Sequence, residues 1–127
     1  MKNELIVSAV EHQATLETAE SLISWGVSVV TIPVDTKGRI KIDDLSERIG
    51  PTTGLVSVLW ANNETGTIYP IQAIAELCQA LEVPLHVDAA QAVGRLPIDL
   101  KEIPIDFLSC SAHKLYGPQG VGALFIR

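Results

Sequence analysis

An amine and a carboxylate each follow an apolar run in this chain. Lys114 comes after the run Ile105–Cys110, at the end of the stretch Ser111–Lys114, and a glycine-proline turn follows it. Asp88 ends a second apolar run, which begins at Leu85. A lysine at the end of a buried strand has restricted access to water, which lowers its pKa and makes its amine usable as a nucleophile.

These two side chains together predict cofactor chemistry, provided that the two strand ends meet in space. An amine that can form a Schiff base and a carboxylate that can pair with a ring nitrogen are what pyridoxal 5'-phosphate requires from a protein. Other interpretations stay open. Most lysines lie on the surface, and Asp88, followed by Ala-Ala-Gln, also suits the N-cap of a helix.

Four short stretches carry a resemblance to a known family. They are, in order, Glu11-His12-Gln13, Asn62-Asn63-Glu64-Thr65-Gly66, His86-Val87-Asp88-Ala89-Ala90-Gln91 and Ser111-Ala112-His113-Lys114. Together they resemble the cysteine desulfurases, within the pyridoxal-phosphate class that also holds the class V aminotransferases. The resemblance covers essentially the whole chain. The Asn-Asn-Glu-Thr-Gly form is similar to the NifS/IscS branch more than to the branch that doubles as selenocysteine lyase.

The resemblance implies an activity and a set of partners. Pyridoxal 5'-phosphate would be the cofactor, and L-cysteine would be converted to L-alanine. The sulfur would leave as a persulfide for iron–sulfur cluster assembly or tRNA thiolation, through a sulfur-acceptor protein. A homodimer or other homo-oligomer is expected. The alternatives are another class V enzyme, such as an aminotransferase or selenocysteine lyase, and a non-catalytic module that retains the fold.

Three residues would do the chemistry by this resemblance. Lys114 would hold the cofactor as a Schiff base and then transfer protons. Asp88 would keep the pyridine nitrogen protonated, so that the ring withdraws electrons from the substrate. His12 would stack on the ring and act as an acid or base, so His12 and Lys114 are the two residues expected to be catalytic. A partly exposed histidine that opens a helix is the alternative for His12.

Four further residues would bind the cofactor without reacting. Asn63 and Gln91 are expected to donate to the phenolic oxygen of the ring. Ser111 and His113 are expected to bind the phosphate, since charge-assisted hydrogen bonds are the stronger kind. Asn63 could instead be an ordinary turn residue after a strand. His86 shares a sheet face with Asp88 without reaching the strand end, so we predict a core histidine there.

Composition excludes several classes of protein. The chain has 127 residues, of which 47% are hydrophobic, enough for one domain with a real core. Its net charge of -6 argues against nucleic-acid binding, which favours a basic surface. Neither a signal peptide nor a membrane-spanning window is apparent, so we expect a cytoplasmic or organelle-matrix protein without membrane binding. Cys78 and Cys110 have no metal-ligand spacing and are expected to be small buried residues.

The order of elements predicts an α/β fold, a mostly parallel sheet with helices on both faces. The resemblance implies that this sheet is part of the large domain of a fold type I pyridoxal enzyme. The last strand should be antiparallel, because the loop 117–120 is too short for a parallel crossover. Asp35–Gly38 reads as a tight turn. Predicted strands are Leu5–Val10, Val27–Ile32, Leu55–Trp60, Leu85–Asp88, Phe107–Cys110 and Val121–Ile126, and predicted helices are Thr15–Trp25, Asp43–Arg48 and Ile71–Leu81.

Residues 1–127 are therefore expected to form part of a pyridoxal-phosphate-binding large domain, as a single domain. The family also uses a glycine-rich phosphate segment, expected before Met1. A mobile loop with a nucleophilic cysteine and an arginine for the substrate carboxylate are expected after Arg127. We expect the isolated chain to self-associate through uncovered apolar surface and to lack desulfurase activity.

Overall fold

Six of the apolar runs form one sheet in the computed structural model, which describes residues 2–127. The strands are β1 (Glu4–Ser8), β2 (Ser28–Ile32), β3 (Thr53–Leu59), β4 (Leu85–Asp88), β5 (Phe107–Ser111) and β6 (Gly122–Ile126). Their order in the sheet is β2-β1-β3-β4-β5-β6, and β1 to β5 are parallel to one another. The helices are α1 (Gln13–Ile23), α2 (Ile42–Arg48), α3 (Ile71–Ala80) and a 3-10 turn, Ala112–Leu115. None of the helices described is long and apolar enough to cross a membrane.

Helices cover both faces of the sheet, as predicted. Leu5 and Val7 of β1 point to one face, where they pack with Ala19 of α1. The intervening Ile6 points to the other face and belongs to the larger core, with Leu45 of α2 and Ile74 of α3. Successive residues of a strand alternate between faces, so a continuous apolar run can fill two cores at once.

The final strand runs antiparallel, which confirms the prediction from the short loop. Leu108 pairs with Phe125, and the register continues to Ser111 opposite Gly122. A side chain at position 122 would bring its Cβ within 2.8 Å of the Cys110 carbonyl oxygen, so the close return after the loop requires a glycine there.

All predicted strands and helices are present; β4 has the predicted bounds, and the ends of the other elements differ by at most two residues. β1 stops at Ser8 rather than Val10, because the chain turns there and the Glu11 amide donates to the Ser8 carbonyl oxygen at 3.4 Å. α1 begins at Gln13 rather than Thr15 because His12 caps it. The predicted turn at Asp35 is confirmed by the Gly38 amide, which donates to the Asp35 carbonyl oxygen at 2.9 Å.

The carboxyl ends of β1, β3, β4 and β5 lie along one edge of the sheet, since the four strands are parallel. His12, Asn63, Asp88 and Lys114 each stand at or shortly after one of these ends. In open α/β sheets, ligands bind at this edge. The fold therefore gathers residues that lie far apart in the chain.

Candidate active site

A cavity of about 520 Å³ opens at this edge of the sheet and continues over the face that carries α1. Its walls are formed by residues of the β-strands, by one side of α1 from Ala14 to Leu22 and by the 3-10 turn. All seven residues predicted to hold or serve a cofactor line it, namely His12, Asn63, Asp88, Gln91, Ser111, His113 and Lys114. The structure thus brings the predicted residues to one place, while their individual roles remain predictions.

Asp88 is the last residue of β4 and is half-buried. Its Oδ1 accepts a hydrogen bond from the Ala90 amide at 2.9 Å, which fixes the carboxylate against the turn that follows the strand. Within residues 2–127 its Oδ2 makes no hydrogen bond, so that oxygen remains available to a ligand in the cavity. The turn-capping role and the cofactor role considered from the sequence are therefore compatible.

Lys114 lies half-buried in the 3-10 turn that follows β5 directly. Ser111 precedes this turn in extended geometry, and Tyr116 ends it in the left-handed region with φ 60. The Gly117 amide closes the turn by donating to the Ala112 carbonyl oxygen at 2.9 Å. A Cβ at position 117 would lie 2.9 Å from that same oxygen, so the tight turn that presents Lys114 depends on glycine there.

His12 both caps a helix and lines the cavity. Its Nδ1 accepts from the Ala14 amide at 3.1 Å, an N-cap contact at the start of α1. The proton of the neutral ring is therefore assigned to Nε2. This contact fixes the imidazole relative to the helix and leaves the rest of the exposed ring for a ligand.

The loop after β3 presents Asn63 to the cavity. Its neighbour Asn62 shapes the loop, because Asn62 Oδ1 accepts from the amides of Glu64 at 2.8 Å and Thr65 at 3.0 Å. Asn62 Nδ2 also donates to the Val10 carbonyl oxygen at 3.1 Å and ties the loop to the end of β1. Asn62 therefore holds the shape of the loop that carries Asn63.

His86 is not a core residue, and that prediction was wrong. The side chain is half-buried and lines the floor of the cavity, on the same sheet face as Asp88. Its Nδ1 lies 2.8 Å from Ser57 Oγ and its Nε2 lies 3.0 Å from Ser109 Oγ. Burial lowers the pKa of His86, although the charge of Asp88 acts in the opposite direction. The face stays open here because α1 covers only the neighbouring strands.

Glu11 is a buried carboxyl that the sequence did not single out as chemically special. Its pKa is raised to about 7, mainly because the carboxyl is buried and in part because of the nearby charge of Asp88. Hydrogen bonds from Ser8 Oγ and from the Leu59 amide, the latter at 3.0 Å, act in the opposite direction and lower the pKa. Both bonds reach Oε1, and Oε2 is buried without a partner among residues 2–127. Its position in the motif beside His12 was the only signal in the sequence.

The two cysteines are free thiols of different character. Cys78 is buried in α3, and burial raises its pKa to about 12, which makes a thiolate inaccessible near neutral pH. Cys110 is half-buried within β5 and lines the cavity. Across the part of the chain that the structure describes, no cluster of three or more His, Cys, Asp or Glu side chains has the geometry of a metal site.

The fold is that of fold type I pyridoxal-phosphate enzymes, and Lys114 and Asp88 line the cavity at its sheet edge. The chain belongs to the family described as Aminotransferase class-V, whose profile matches residues 1–127. This family and the cysteine desulfurases within it depend on pyridoxal 5'-phosphate.

The relatives of this chain are cysteine desulfurases. A "Cysteine desulfurase IscS" from Clostridium botulinum is 49% identical over 125 residues, which are 98% of this chain and 32% of that protein. A mitochondrial cysteine desulfurase from Arabidopsis thaliana is 43% identical over 126 residues, 99% of this chain and 28% of that protein. This chain thus spans about a third of the length of the curated relatives it matches.

Solved structures agree with the sequence relatives. The structure of SspA in complex with cysteine superposes with a TM-score of 0.96 at 40% identity, and the match covers 99% of this chain and 36% of the SspA chain. DndA from Streptomyces lividans superposes with a TM-score of 0.92 at 44% identity, and the match covers 99% of this chain and 35% of the DndA chain. In both cases the likeness covers nearly the whole of this chain.

Proposed function

We propose that residues 1–127 are the part of a cysteine desulfurase large domain that holds pyridoxal 5'-phosphate, and that the whole protein converts L-cysteine to L-alanine with transfer of the sulfur. The observation that carries this proposal is that one cavity brings together an amine, a carboxylate and the five other side chains predicted to contact the cofactor. Sequence relatives named as cysteine desulfurases support the choice of reaction.

The side chains of the cavity fit the chemical groups of this cofactor. Asp88 offers a carboxylate oxygen without a hydrogen-bond partner within residues 2–127, suited to a protonated ring nitrogen. Ser111 ends β5, His113 lies two residues later in the 3-10 turn, and both offer donors for a phosphate. Asn63 and Gln91 offer amide donors for an ionised ring oxygen.

Each residue has a stated task in this proposal. When bound, pyridoxal phosphate withdraws electrons from the substrate Cα and so stabilises the negative charge that develops there. Asp88 keeps a proton on the ring nitrogen, because an opposite charge at close range favours the protonated form. Lys114 Nζ would hold the cofactor and could move a proton at the substrate Cα. His12 would lie beside the cofactor and could donate or accept a proton at Nε2.

The thiol that accepts sulfur is proposed to lie outside these 127 residues. Cys78 is buried and its pKa is raised to about 12, so its thiolate is inaccessible. Cys110 lies within β5, where the paired backbone holds it in place. A sulfur-acceptor protein would then take the persulfide onward, to iron–sulfur cluster assembly or tRNA thiolation.

We also propose a homo-oligomer in a reducing compartment such as the cytoplasm. Large apolar side chains are exposed on two parts of the surface, with Trp25 at 84%, Leu124 at 56% and Ile126 at 63%. Apolar surface of this kind marks contacts with another chain or segment. Light scattering of the complete gene product should give a mass above that of one chain, and a monomeric mass would contradict this part of the proposal.

The test uses the complete gene product, including any sequence that flanks these 127 residues. After incubation with pyridoxal 5'-phosphate, we expect visible absorbance that borohydride removes, with the reduced label on Lys114. Lys114→Ala should abolish the label, and Lys101→Ala, which changes an exposed lysine outside the cavity, should not. In a separate sample that has not been treated with borohydride, cysteine should yield alanine, and an added thiol reductant should release the transferred sulfur as sulfide by supplying two electrons.

The outcomes separate the candidate functions. Label on Lys114 together with alanine from cysteine supports a desulfurase. Label without alanine, but with amino-group exchange into a 2-oxo acid, would mean an aminotransferase of the same class. A protein that takes no label under any condition would be a non-catalytic module, and the proposal would fail.

A further inference from the structure

We propose that Arg95 is a positioning residue of the cofactor cavity, whose guanidinium sets the orientation of the Gln91 amide and holds the backbone at Lys114. The proposal rests on the function proposed above, since it concerns how the same cavity is prepared for its ligand. Gln91 and Lys114 follow different strands, β4 and β5, so some contact must fix one relative to the other.

Arg95 reaches both segments with one planar group. Its Nη1 donates to the side-chain Oε1 of Gln91 and to the Gln91 carbonyl oxygen, the latter at 3.3 Å. Its Nη2 donates to the Lys114 carbonyl oxygen at 3.2 Å. Arginine suits such a bridge, because its donors are arranged in a rigid fork that a lysine ammonium lacks.

The contact with Gln91 has a direct consequence for the cavity. A glutamine amide can present either its oxygen or its nitrogen to a ligand, and the two ends differ only by a rotation. Arg95 has no acceptor and therefore binds only Oε1. With Oε1 held by Arg95, Nε2 is the end of the amide that is left to donate into the cavity that Gln91 lines. A donor is what an ionised ring oxygen requires.

The contact with Lys114 restrains the turn that carries the reactive amine. The last carbonyl groups of a helical turn have no partner within the turn, and a cationic side chain is a favourable donor to them. The two segments also touch beside Arg95, since a Cβ on Gly94 would lie 2.6 Å from Leu115 Cδ2. Arg95 therefore acts where the segment after β4 already packs against the 3-10 turn.

The test compares three variants of the complete gene product. Arg95→Met removes the donors and keeps most of the side-chain length, and Arg95→Lys keeps the charge without the fork. Arg48→Met, at the exposed end of α2, is the matched control. Two readouts besides activity are measured: the affinity for pyridoxal 5'-phosphate by absorbance titration, and the pH midpoint of the visible absorbance of the bound cofactor.

We expect Arg95→Met to weaken cofactor binding about tenfold, a typical consequence of losing one oriented hydrogen bond to a charged group. The pH midpoint should rise by about half a unit or more, because a misdirected amide no longer stabilises the ionised ring oxygen. Arg95→Lys should fall between the wild type and Arg95→Met, and Arg48→Met should match the wild type. Unchanged affinity and midpoint in Arg95→Met would overturn the proposal.

Hydrogen exchange of the cofactor-free proteins gives a readout that does not depend on the proposed function. Arg95→Met should speed exchange of the Gly117 amide, which closes the turn around Lys114. If exchange at Gly117 is the same in Arg95→Met and Arg48→Met, the restraint on the turn does not exist and the inference fails. Failure of the proposed function is recognised separately, because then the wild type itself takes no label on Lys114.

Discussion

Replacing Glu11 by glutamine should remove a pH dependence of stability that this buried carboxyl imposes. Glu11 is 6% exposed, and its pKa is raised from 4.5 to about 7. Ser8 of β1 and the Leu59 amide of β3 donate hydrogen bonds to this carboxyl. The charge of Asp88 on β4 also acts on it. Tyr69 is nearby as well, and its pKa is raised by burial and then by the charge of Glu11. No cation faces this carboxyl among the groups that shift its pKa.

The sign and size of the effect follow from this shift. The native state holds the proton of Glu11 up to about pH 7, whereas the unfolded chain releases it near 4.5. Between these values the native state binds more protons than the unfolded state, so stability falls as pH rises and stays lower above about pH 7. At about 1.4 kcal/mol per pKa unit, the loss is about 3 kcal/mol.

Glutamine is the informative replacement because its Oε1 can keep both hydrogen bonds that Glu11 accepts, and it never ionises. Its Nε2 would occupy the place of the unpartnered Oε2, at a cost that does not depend on pH. The slope with pH, rather than the stability at one pH, therefore reports on Glu11. Glu20→Gln, on the exposed side of α1, is the matched control.

The assay is urea unfolding of the cofactor-free protein at constant protein concentration and ionic strength, since bound ligand or oligomerisation would shift the apparent stability. The stability of Glu11→Gln relative to the wild type should increase by about 3 kcal/mol between about pH 4 and about pH 8. The Glu20→Gln difference should stay flat. A flat difference for Glu11→Gln as well would refute the reasoning and mean that Glu11 ionises normally.

Three further substitutions test the packing and the electrostatics. Gly94→Ala should lower the free energy of unfolding by about 1–3 kcal/mol, because φ at this position is +76 and the new Cβ would lie 2.6 Å from Leu115 Cδ2. Gly50→Ala is the control, since a Cβ there would have no atom within 4 Å. Equal unfolding midpoints in the two variants would contradict this prediction. Ile74→Ala, at a fully buried site of α3, should cost about 2–5 kcal/mol by urea unfolding, and a loss below about 1 kcal/mol would mean that the site repacks. Burial lowers the pKa of His86 in the folded state below 6.5, so the wild type loses stability as pH falls through that value. His86→Gln should lose less stability over the same pH range. Parallel stability–pH profiles of the two proteins in urea unfolding would contradict this prediction.

The sequence alone was enough to predict the architecture, and the family resemblance named seven of the residues that line the cavity. Continuous apolar runs alternate with helical patterns, which indicates a parallel sheet, and the carboxyl ends of parallel strands meet at one edge. Residues as distant as His12 and Lys114 could therefore be expected to meet without any knowledge of coordinates. The short loop after Lys114 likewise determined the direction of β6. These inferences succeeded because periodicity and loop length are local properties of the chain.

The environment of individual polar side chains was decided only by the tertiary structure. In the sequence, nothing distinguishes Glu11 from its neighbours in the motif. In the structure, β3 places the Leu59 amide against its carboxyl group, which is buried away from water. His86 was expected in the core, but α1 leaves that part of the sheet face open, so the ring lies on the cavity floor between Ser57 and Ser109. Burial and hydrogen-bond partners depend on contacts between segments far apart in the chain, and a local pattern carries no information about them.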